Sequence, residues 1–234
     1  MSLYKEICKV FLKLIDQNTY SSFYPKMIGR NSSIMNKNNY KVSNDYQYIF
    51  VHIPKTGGMS LNCIITKINN QLTNNKIFPG GHNPISIFHS PSEKKYISVI
   101  RDPIKRAYSF YQASLKDKKQ PYNYLAKKGI FHFMRYCPEA QNIFCKYYSG
   151  ELDQDMNNDL FQKALENTKN FYQLINFENF KNDTLKLIDN FNIKNIEVPH
   201  INQSSNKKEI TEDERKIIEF YNYFDLKFYK IIKS

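Results

Sequence analysis

The chain carries two alternating patterns of apolar positions from residue 46 onward. Tyr46–Ile53 and Tyr96–Ile100 are short, nearly continuous apolar runs, a pattern typical of strands buried on both faces. Apolar residues then recur every three or four positions, which predicts one helix from Leu61 to Leu72 and another that begins at Pro103. The same patterns predict helices at 138–148, 160–169 and 184–191 and a strand at 172–177.

Helix-capping residues sharpen two of these boundaries. Asp102 is a good N-cap, and the proline that follows it suits the first position of a helix. Thr211 and Glu214 form the sequence pattern of a capping box, which predicts a helix whose apolar face continues to Phe228.

Strands that alternate with helices predict an α/β fold with a central parallel sheet and helices on both faces, a three-layer arrangement. No internal repeat and no linker divides the chain after residue 45. We therefore expect one α/β domain over 46–234. It is preceded over 1–45 by an amphipathic helix and an irregular lead-in.

The net charge, the absence of known motifs and the cysteine spacing limit the classes of partner that the chain is expected to bind. The 234 residues carry a net charge of +12, which is typical either of a solvated lysine-rich surface or of a protein with a polyanionic partner such as a nucleotide, an acidic polysaccharide or a nucleic acid. No zinc-finger, helix-turn-helix or RNA-recognition pattern is present, so a nucleic acid is not expected. No apolar run reaches membrane-spanning length, and the four cysteines lack metal-ligand spacing. We expect a cytoplasmic protein without a membrane segment or a metal.

The segment Pro-Lys-Thr-Gly-Gly-Met-Ser, residues 54–60, connects the first predicted strand to its helix. A turn of this kind directs backbone N–H groups toward one point beside the positive end of the helix. Gly57 and Gly58 let an anion approach the backbone, Lys55 adds a positive charge, and Thr56 and Ser60 offer hydroxyl groups. An ordinary strand-to-helix turn with an exposed lysine is the alternative interpretation.

The order of residues in this segment argues against an ordinary ATPase or kinase. The nucleoside-triphosphate loop requires a lysine directly after its second glycine, whereas Lys55 precedes both glycines. A second anion site is predicted at the end of the next strand, where Arg101 is followed by Ser109 in the second turn of the helix.

Together, "FVHIPKTGGMSL" and "VIRDPIKRAYSFY" resemble the sulfotransferases that use 3′-phosphoadenosine 5′-phosphosulfate (PAPS). The likeness is to the carbohydrate branch that contains heparan sulfate 2-O-sulfotransferase, and it implies a P-loop-like fold and PAPS as cosubstrate. It also implies two sets of contacts. The 5′-phosphosulfate is held by Lys55, Thr56, Gly57, Gly58, Met59 and Ser60, and the 3′-phosphate by Arg101 and Ser109.

Two further segments extend the resemblance. "LINFENF" is similar to a family strand that is followed by a glutamate and an aromatic residue. "VPHINQSSNKKEITEDE" is similar to the family's basic loop over the nucleotide, which implies that Lys207 contacts PAPS. Met59 departs from the pattern, because the family commonly has a threonine there. The backbone N–H at that position can still donate.

The chemistry of sulfuryl transfer needs a cation at the leaving oxygen and a base at the acceptor hydroxyl. Lys55 is the candidate cation. Among the five histidines, His82 lies in a glycine-flanked loop that resembles the Gly-His of the heparan branch, and it is the candidate base. His89 and the carboxylates Glu93 and Glu178 remain alternatives.

The expected function is transfer of a sulfuryl group from PAPS to a hydroxyl of an acceptor, in particular a carbohydrate. A tyrosine, lipid or small-alcohol acceptor stays open. The alternatives from other classes are a nucleotide-dependent kinase with an atypical phosphate loop and a non-catalytic protein that binds polyanions. ATP binding with magnesium would favour the first, and salt-sensitive polyanion binding without PAPS binding would favour the second.

Overall fold

Four strands form a parallel sheet in the order β2-β1-β3-β4 in the computed structural model of the protein. The strands are β1 (Tyr46–Val51), β2 (Lys76–Pro79), β3 (Lys95–Ile100) and β4 (Phe171–Asn176). The structure describes residues 46–74, 76–88, 94–198 and 209–234, which all belong to one compact unit. The predicted helix and lead-in at 1–45 lie outside the described residues.

The helices of the described segments connect and cover these strands. They are α1 (Gly58–Asn69), α2 (Pro103–Lys116), α3 (Asn123–Lys127), α4 (Ile130–Tyr136), α5 (Ile143–Ser149), α6 (Asn158–Thr168), α7 (Phe180–Asn190), α8 (Glu212–Tyr221) and α9 (Tyr223–Lys233). Short 3₁₀ turns lie at Ile85–Ile87, Pro138–Ala140 and Phe177–Asn179. Within the described ranges, no helix combines the length and the apolar character needed to span a bilayer.

The sheet is buried on both faces, as its apolar strands require. Side chains alternate along β1, so Phe50 faces one apolar cluster while Ile49 and Val51 face the other. The Phe50 cluster contains the apolar faces of α1 and α7, and the opposite cluster contains those of α5, α6 and α9. This arrangement confirms the predicted α/β fold with a central parallel sheet between layers of helices.

The strand order determines where a ligand can bind. The chain moves from β1 to β2 on one side and then crosses to β3 on the other side of β1. Ligands of open α/β sheets bind outside the carboxyl ends of the strands where the order reverses, which here is the crevice between β1 and β3.

Several boundaries differ from the sequence-based predictions. No strand was predicted between the first helix and the strand at 96–100, but residues 76–79 pair with β1 as an edge strand, the position that tolerates proline. The helices α3 and α4 were not predicted because each is short. The predicted C-terminal helix begins at its capping box as expected but breaks at Asn222 into α8 and α9.

A reciprocal pair of caps explains this break. Asn142, with φ +46°, places its side-chain oxygen where it accepts from the N–H groups of Phe224 (2.9 Å) and Asp225 (3.2 Å), at the start of α9. The Asp225 carboxylate in turn accepts from the N–H groups of Phe144 (3.0 Å) and Cys145 (2.9 Å), at the start of α5. Each helix therefore caps the other, and the pair stabilises a break that no local pattern indicates.

This capping predicts the effect of Asn142→Gly. Glycine keeps the left-handed backbone but removes the side-chain cap of α9, so we expect a loss of about 2 kcal/mol in the free energy of unfolding, measured with urea. Asn192→Gly is the matched control, because Asn192 is exposed and has φ +54°. We expect the control to stay within about 0.5 kcal/mol of the wild type. Equal effects of the two changes would contradict the capping role.

Candidate anion-binding site at the carboxyl edge of the sheet

Four connections meet at the carboxyl edge of the parallel sheet. Lys55 follows β1, His82 follows β2, Arg101 follows β3 and Phe177 follows β4. Because β1 lies between β2 and β3, the lysine loop has the histidine loop on one side and the arginine on the other. The topology therefore brings the predicted catalytic and binding residues of three separate segments to one place.

The loop after β1 is held by its carbonyl groups. Three consecutive carbonyls accept hydrogen bonds from side chains: that of Ile53 from Thr56 Oγ1 (2.8 Å), that of Pro54 from Arg106 Nε (3.2 Å) and that of Lys55 from Arg101 Nη1 (2.9 Å). In a trans peptide the N–H points away from the carbonyl. The N–H groups of Lys55 and Thr56 are thus directed away from these side chains.

Backbone conformation completes the loop. Lys55 has φ +70° and Gly57 has φ +85°, both in the left-handed region. The next residues, Gly58 and Met59, begin α1, where the N–H groups have no carbonyl of a preceding helical turn to bind. The loop and the first turn of α1 therefore offer a set of donors to an anion, beside the positive end of the helix dipole.

Three cations lie around this loop. Burial lowers the pKa of the half-buried Lys55 ammonium, and the positive charges of Arg101 and Arg106 lower it further. Within the described segments no carboxylate oxygen lies within 4.0 Å of any of the three. Positive charge that is concentrated in this way and has no close counter-ion favours an anionic ligand.

Neighbouring aromatic rings explain why positions 57 and 58 are glycines. A Cβ atom on Gly58 would lie 2.0 Å from Cδ2 of the His52 ring, and one on Gly57 would lie 2.9 Å from Cε2 of Phe177. We predicted that the missing side chains let an anion approach. What the structure shows is that they make room for an imidazole and a phenyl ring of the protein; the approach of an anion stays a prediction.

Arg101 has one anchored face and one free donor. Its guanidinium stacks on the Phe177 ring at 4.3 Å, while its buried Nε has no hydrogen-bond partner among the residues that the structure describes. Burial lowers the pKa of Arg101, and the negative charges of Glu178 and Asp102 oppose that shift. Leaving a buried N–H unpaired costs about 1–3 kcal/mol, so this donor is suited to an additional acceptor.

Glu178 was an alternative base, and the structure gives it another role. One carboxylate oxygen accepts from the N–H of Asp102 (3.2 Å) and the other from the hydroxyl of Tyr229 (3.1 Å). Both oxygens thus join the end of β3 to α9. Asp102 itself caps α2, as predicted, by accepting from the N–H of Lys105 (2.9 Å).

His82 lies in contact with a second histidine. Its ring meets that of His52 edge-to-face at a centroid distance of 4.4 Å, and His52 stacks on Phe50 at 5.4 Å. His82 is exposed at its outer side, yet the surrounding protein desolvates the ring enough to lower its pKa. Burial and the positive charge of protonated His82 lower the pKa of His52 to about 4. Both imidazoles are therefore neutral at pH 7.

Backbone and side-chain contacts hold the His82 loop against β1. The N–H of Gly80 donates to the carbonyl of Phe50 (3.0 Å), and that of His52 donates to the carbonyl of Gly81 (3.2 Å), which extends the pairing beyond the strands. The hydroxyl of the buried Tyr147 donates to the carbonyl of His82 (3.1 Å). His82, predicted to lie in a glycine-flanked loop, thus belongs to a segment that is held by both β1 and α5.

Some predicted residues take other positions. The Thr56 hydroxyl is buried and donates inside the turn, so the group that remains for a ligand is its backbone N–H. Met59 is 79% exposed at the rim. The backbone N–H of Ser60 donates to the carbonyl of Gly57 (3.1 Å). Ser109 is half-buried on α2, and no described residue forms a hydrogen bond with its hydroxyl.

Three of the predicted contacts and alternatives, Lys207, His89 and Glu93, lie outside the described residues, as does a further histidine, His200. Among the residues that are described, no cluster of three or more histidine, cysteine or acidic side chains is arranged to hold a metal ion.

Arg106 is a site residue that the sequence reasoning missed. It lies within the segment "RDPIKRAYSFY", but the resemblance implied no role for it. The signal that could have revealed it is its place on the buried stripe of α2, between Pro103 and Phe110 at helical spacing. A charged residue at a core position rarely stays there without a specific partner.

No family model matches the chain, and no curated protein matches it. Among solved structures, the chain is similar to mouse sulfotransferase SULT7A1 complexed with PAP, at 15% sequence identity and a TM-score of 0.41. That alignment covers 87% of this chain and 71% of the mouse chain.

The lowered pKa of His52 predicts a pH dependence of stability. Below pH 6.5 the unfolded chain takes up a proton that the folded protein accepts only near pH 4, so stability falls across this window as the pH decreases. We expect His52 to contribute up to about 3 kcal/mol to this loss. His52→Gln should flatten the pH dependence between pH 7 and 4.5 in urea unfolding. An unchanged slope would show that His52 titrates normally in the folded state.

Proposed function

We propose that the protein is a PAPS-dependent sulfotransferase that transfers a sulfuryl group to a hydroxyl of an acceptor. The observation that carries this proposal is the 2.9 Å hydrogen bond from Arg101 to the carbonyl of Lys55. It joins the two segments that resemble the 5′-phosphosulfate and 3′-phosphate contacts of this enzyme class. Two anion sites in direct contact suit a donor that carries anionic groups at both the 3′ and the 5′ position of one ribose.

The residues present fit such a donor. The N–H groups and ammonium of residues 55–60 supply donors for the 5′ end, and Arg101, whose Nε has no partner in the described part of the chain, supplies one for the 3′-phosphate. Ser109 and Lys207 complete the proposed set on the basis of the resemblance. The cluster of Lys55, Arg101 and Arg106, which has no carboxylate within 4.0 Å among the described residues, provides the charge that a polyanion needs.

PAPS supplies an activated sulfuryl group, and the protein positions it and stabilises the charge that develops. Lys55 is the cation we assign to the leaving bridging oxygen. Its side chain starts from a backbone fixed by Arg101, so its ammonium needs little reorganisation during transfer. This assignment extends the logic of phosphoryl transfer to sulfur.

His82 is the proposed general base. Its lowered pKa keeps the imidazole neutral at physiological pH, which allows it to accept the proton of an acceptor alcohol. The hydrogen bond from Tyr147 and the contact with His52 limit the positions of the ring. The exposed side of His82 leaves room for an acceptor to approach from solvent.

We further propose a carbohydrate acceptor. The Gly81-His82 pair resembles the heparan branch, and the net charge of +12 suits an acidic glycan. The decisive experiment is transfer of labelled sulfate from PAPS to a panel of glycans, tyrosine peptides and small alcohols. Transfer to glycans supports the full proposal, whereas transfer to another alcohol replaces the acceptor class. Binding of ATP with magnesium in preference to PAPS would indicate the kinase alternative.

His82→Ala tests the base. We expect kcat to fall by roughly 100-fold or more, because general-base catalysis contributes about that much, while the affinity for adenosine 3′,5′-bisphosphate stays within twofold of wild type. His132→Ala, on α4, is the control that should retain activity. Turnover near the wild-type rate in His82→Ala would show that another group accepts the proton.

Arg101→Ala tests the 3′-phosphate contact. Loss of a charge-assisted hydrogen bond should weaken the binding of adenosine 3′,5′-bisphosphate by roughly 10- to 100-fold in calorimetry. Arg135→Ala, which removes an arginine from α4, should leave this affinity unchanged. An affinity equal to that of the wild type in Arg101→Ala would remove Arg101 from the nucleotide site.

A further inference from the structure

Arg106 belongs to the cation cluster but lies where no ligand can reach it. Its side chain is 1% exposed, and its Nε donates to the carbonyl of Pro54 (3.2 Å). Both Nη atoms are buried and have no hydrogen-bond partner within the described segments. Among the described residues, the loop after β1 is therefore the only direct hydrogen-bond partner of this guanidinium.

The surroundings of Arg106 do not explain it as a stabilising ion pair. Asp225 and Glu139 attract its charge, but neither oxygen pair comes within 4.0 Å of it in the described segments. The Asp225 carboxylate is already bound to the N–H groups at the start of α5, and Glu139 accepts from the hydroxyl of Tyr122 (3.1 Å). A buried charge with such remote partners is a weak source of stability.

The bond to Pro54 has a direct consequence for the next residue. The Pro54 carbonyl and the Lys55 N–H belong to one planar peptide and point in opposite directions. While Arg106 holds the carbonyl inward, the Lys55 N–H faces outward, and Lys55 keeps its unusual φ of +70°. Without that bond, the peptide is free to rotate and the lysine to return to a common backbone conformation.

We propose that Arg106 is a positioning residue that fixes the Pro54–Lys55 peptide and thereby directs the backbone N–H and the ammonium of Lys55 at the anion. In its full form the inference rests on the proposed function, since it takes that anion to be the 5′ end of the sulfuryl donor. Arg106 does not touch the ligand. Arg101, which holds the neighbouring carbonyl, differs because it is also exposed to the site.

Two substitutions separate the hydrogen bond from the charge. In Arg106→Lys a methylene group takes the place of Nε, so the charge near Asp225 and Glu139 stays while the bond to Pro54 is lost. In Arg106→Gln the amide nitrogen stands where Nε stood, so the donor stays while the charge is lost. Arg135→Lys on α4 controls for a general effect of replacing an arginine.

The measurements are amide hydrogen exchange of residues 55–58 and calorimetric affinities for adenosine 3′,5′-bisphosphate and adenosine 3′-monophosphate. We expect Arg106→Lys to accelerate exchange in the loop but not in α2, and to weaken the bisphosphate by roughly 10-fold, the value of one hydrogen bond. The affinity for the 3′-monophosphate should stay within twofold. Arg106→Gln should be closer to the wild type than Arg106→Lys in both readouts.

The outcomes are separable. The proposal is overturned if Arg106→Lys matches the wild type in loop exchange, or if both nucleotides weaken together with a general loss of protection. It is also overturned if Arg106→Gln is the more damaging change in the loop. If the wild type binds neither nucleotide, the sulfotransferase assignment fails, and exchange in the loop alone still decides the role of Arg106. If Arg106→Gln does not fold, the comparison of Arg106→Lys with Arg135→Lys decides it.

Discussion

The site depends on the orientation of two adjacent peptide groups, those that follow Pro54 and Lys55. Each peptide turns its carbonyl toward an arginine, Arg106 or Arg101, and so turns its N–H the other way. The conformation this requires, φ +70° at Lys55, is uncommon for a residue with a side chain and persists because the surroundings hold it. The same pair of hydrogen bonds therefore fixes the positions of the N–H donors, the lysine side chain and the arginine that follows the neighbouring strand.

The order of the strands brings the side chains of this arrangement together. Because β1 and β3 are adjacent and parallel, the residue that follows β3 reaches the loop that follows β1 without a long side-chain path. The fourth strand adds the Phe177 ring beneath Arg101, and the edge strand β2 brings His82 beside His52. The chemistry of the site is thus distributed over four chain segments, but each side chain is only a few residues from the end of a strand.

The parts of the molecule that follow from local patterns were predictable from the sequence. The continuous apolar runs of β1 and β3, the Asp102 cap and the capping box at Thr211 are features of neighbouring residues, and they appear where the patterns place them. The turn at 54–60 that leads from β1 into α1 was predictable for the same reason, and its anion-binding role stays a prediction. The edge strand at 76–79, the break at Asn222 and the roles of His52 and Arg106 were not, because each depends on a partner far along the chain, such as β1, Asn142 or Pro54.

The electrostatics of the loop show why a buried arginine is suited to this position. A neutral donor could hold the Pro54 carbonyl, but it would leave Asp225 and Glu139 without a positive charge nearby, and burial already raises the pKa of both carboxyl groups. Arg106 moderates that cost. Burial lowers the pKa of Lys55, and the positive charges of Arg101 and Arg106 lower it further because they disfavour the protonated amine. An anion bound at the loop would relieve this repulsion among three cations. Repulsion of this kind favours a multiply charged anion as the ligand that we propose for the loop.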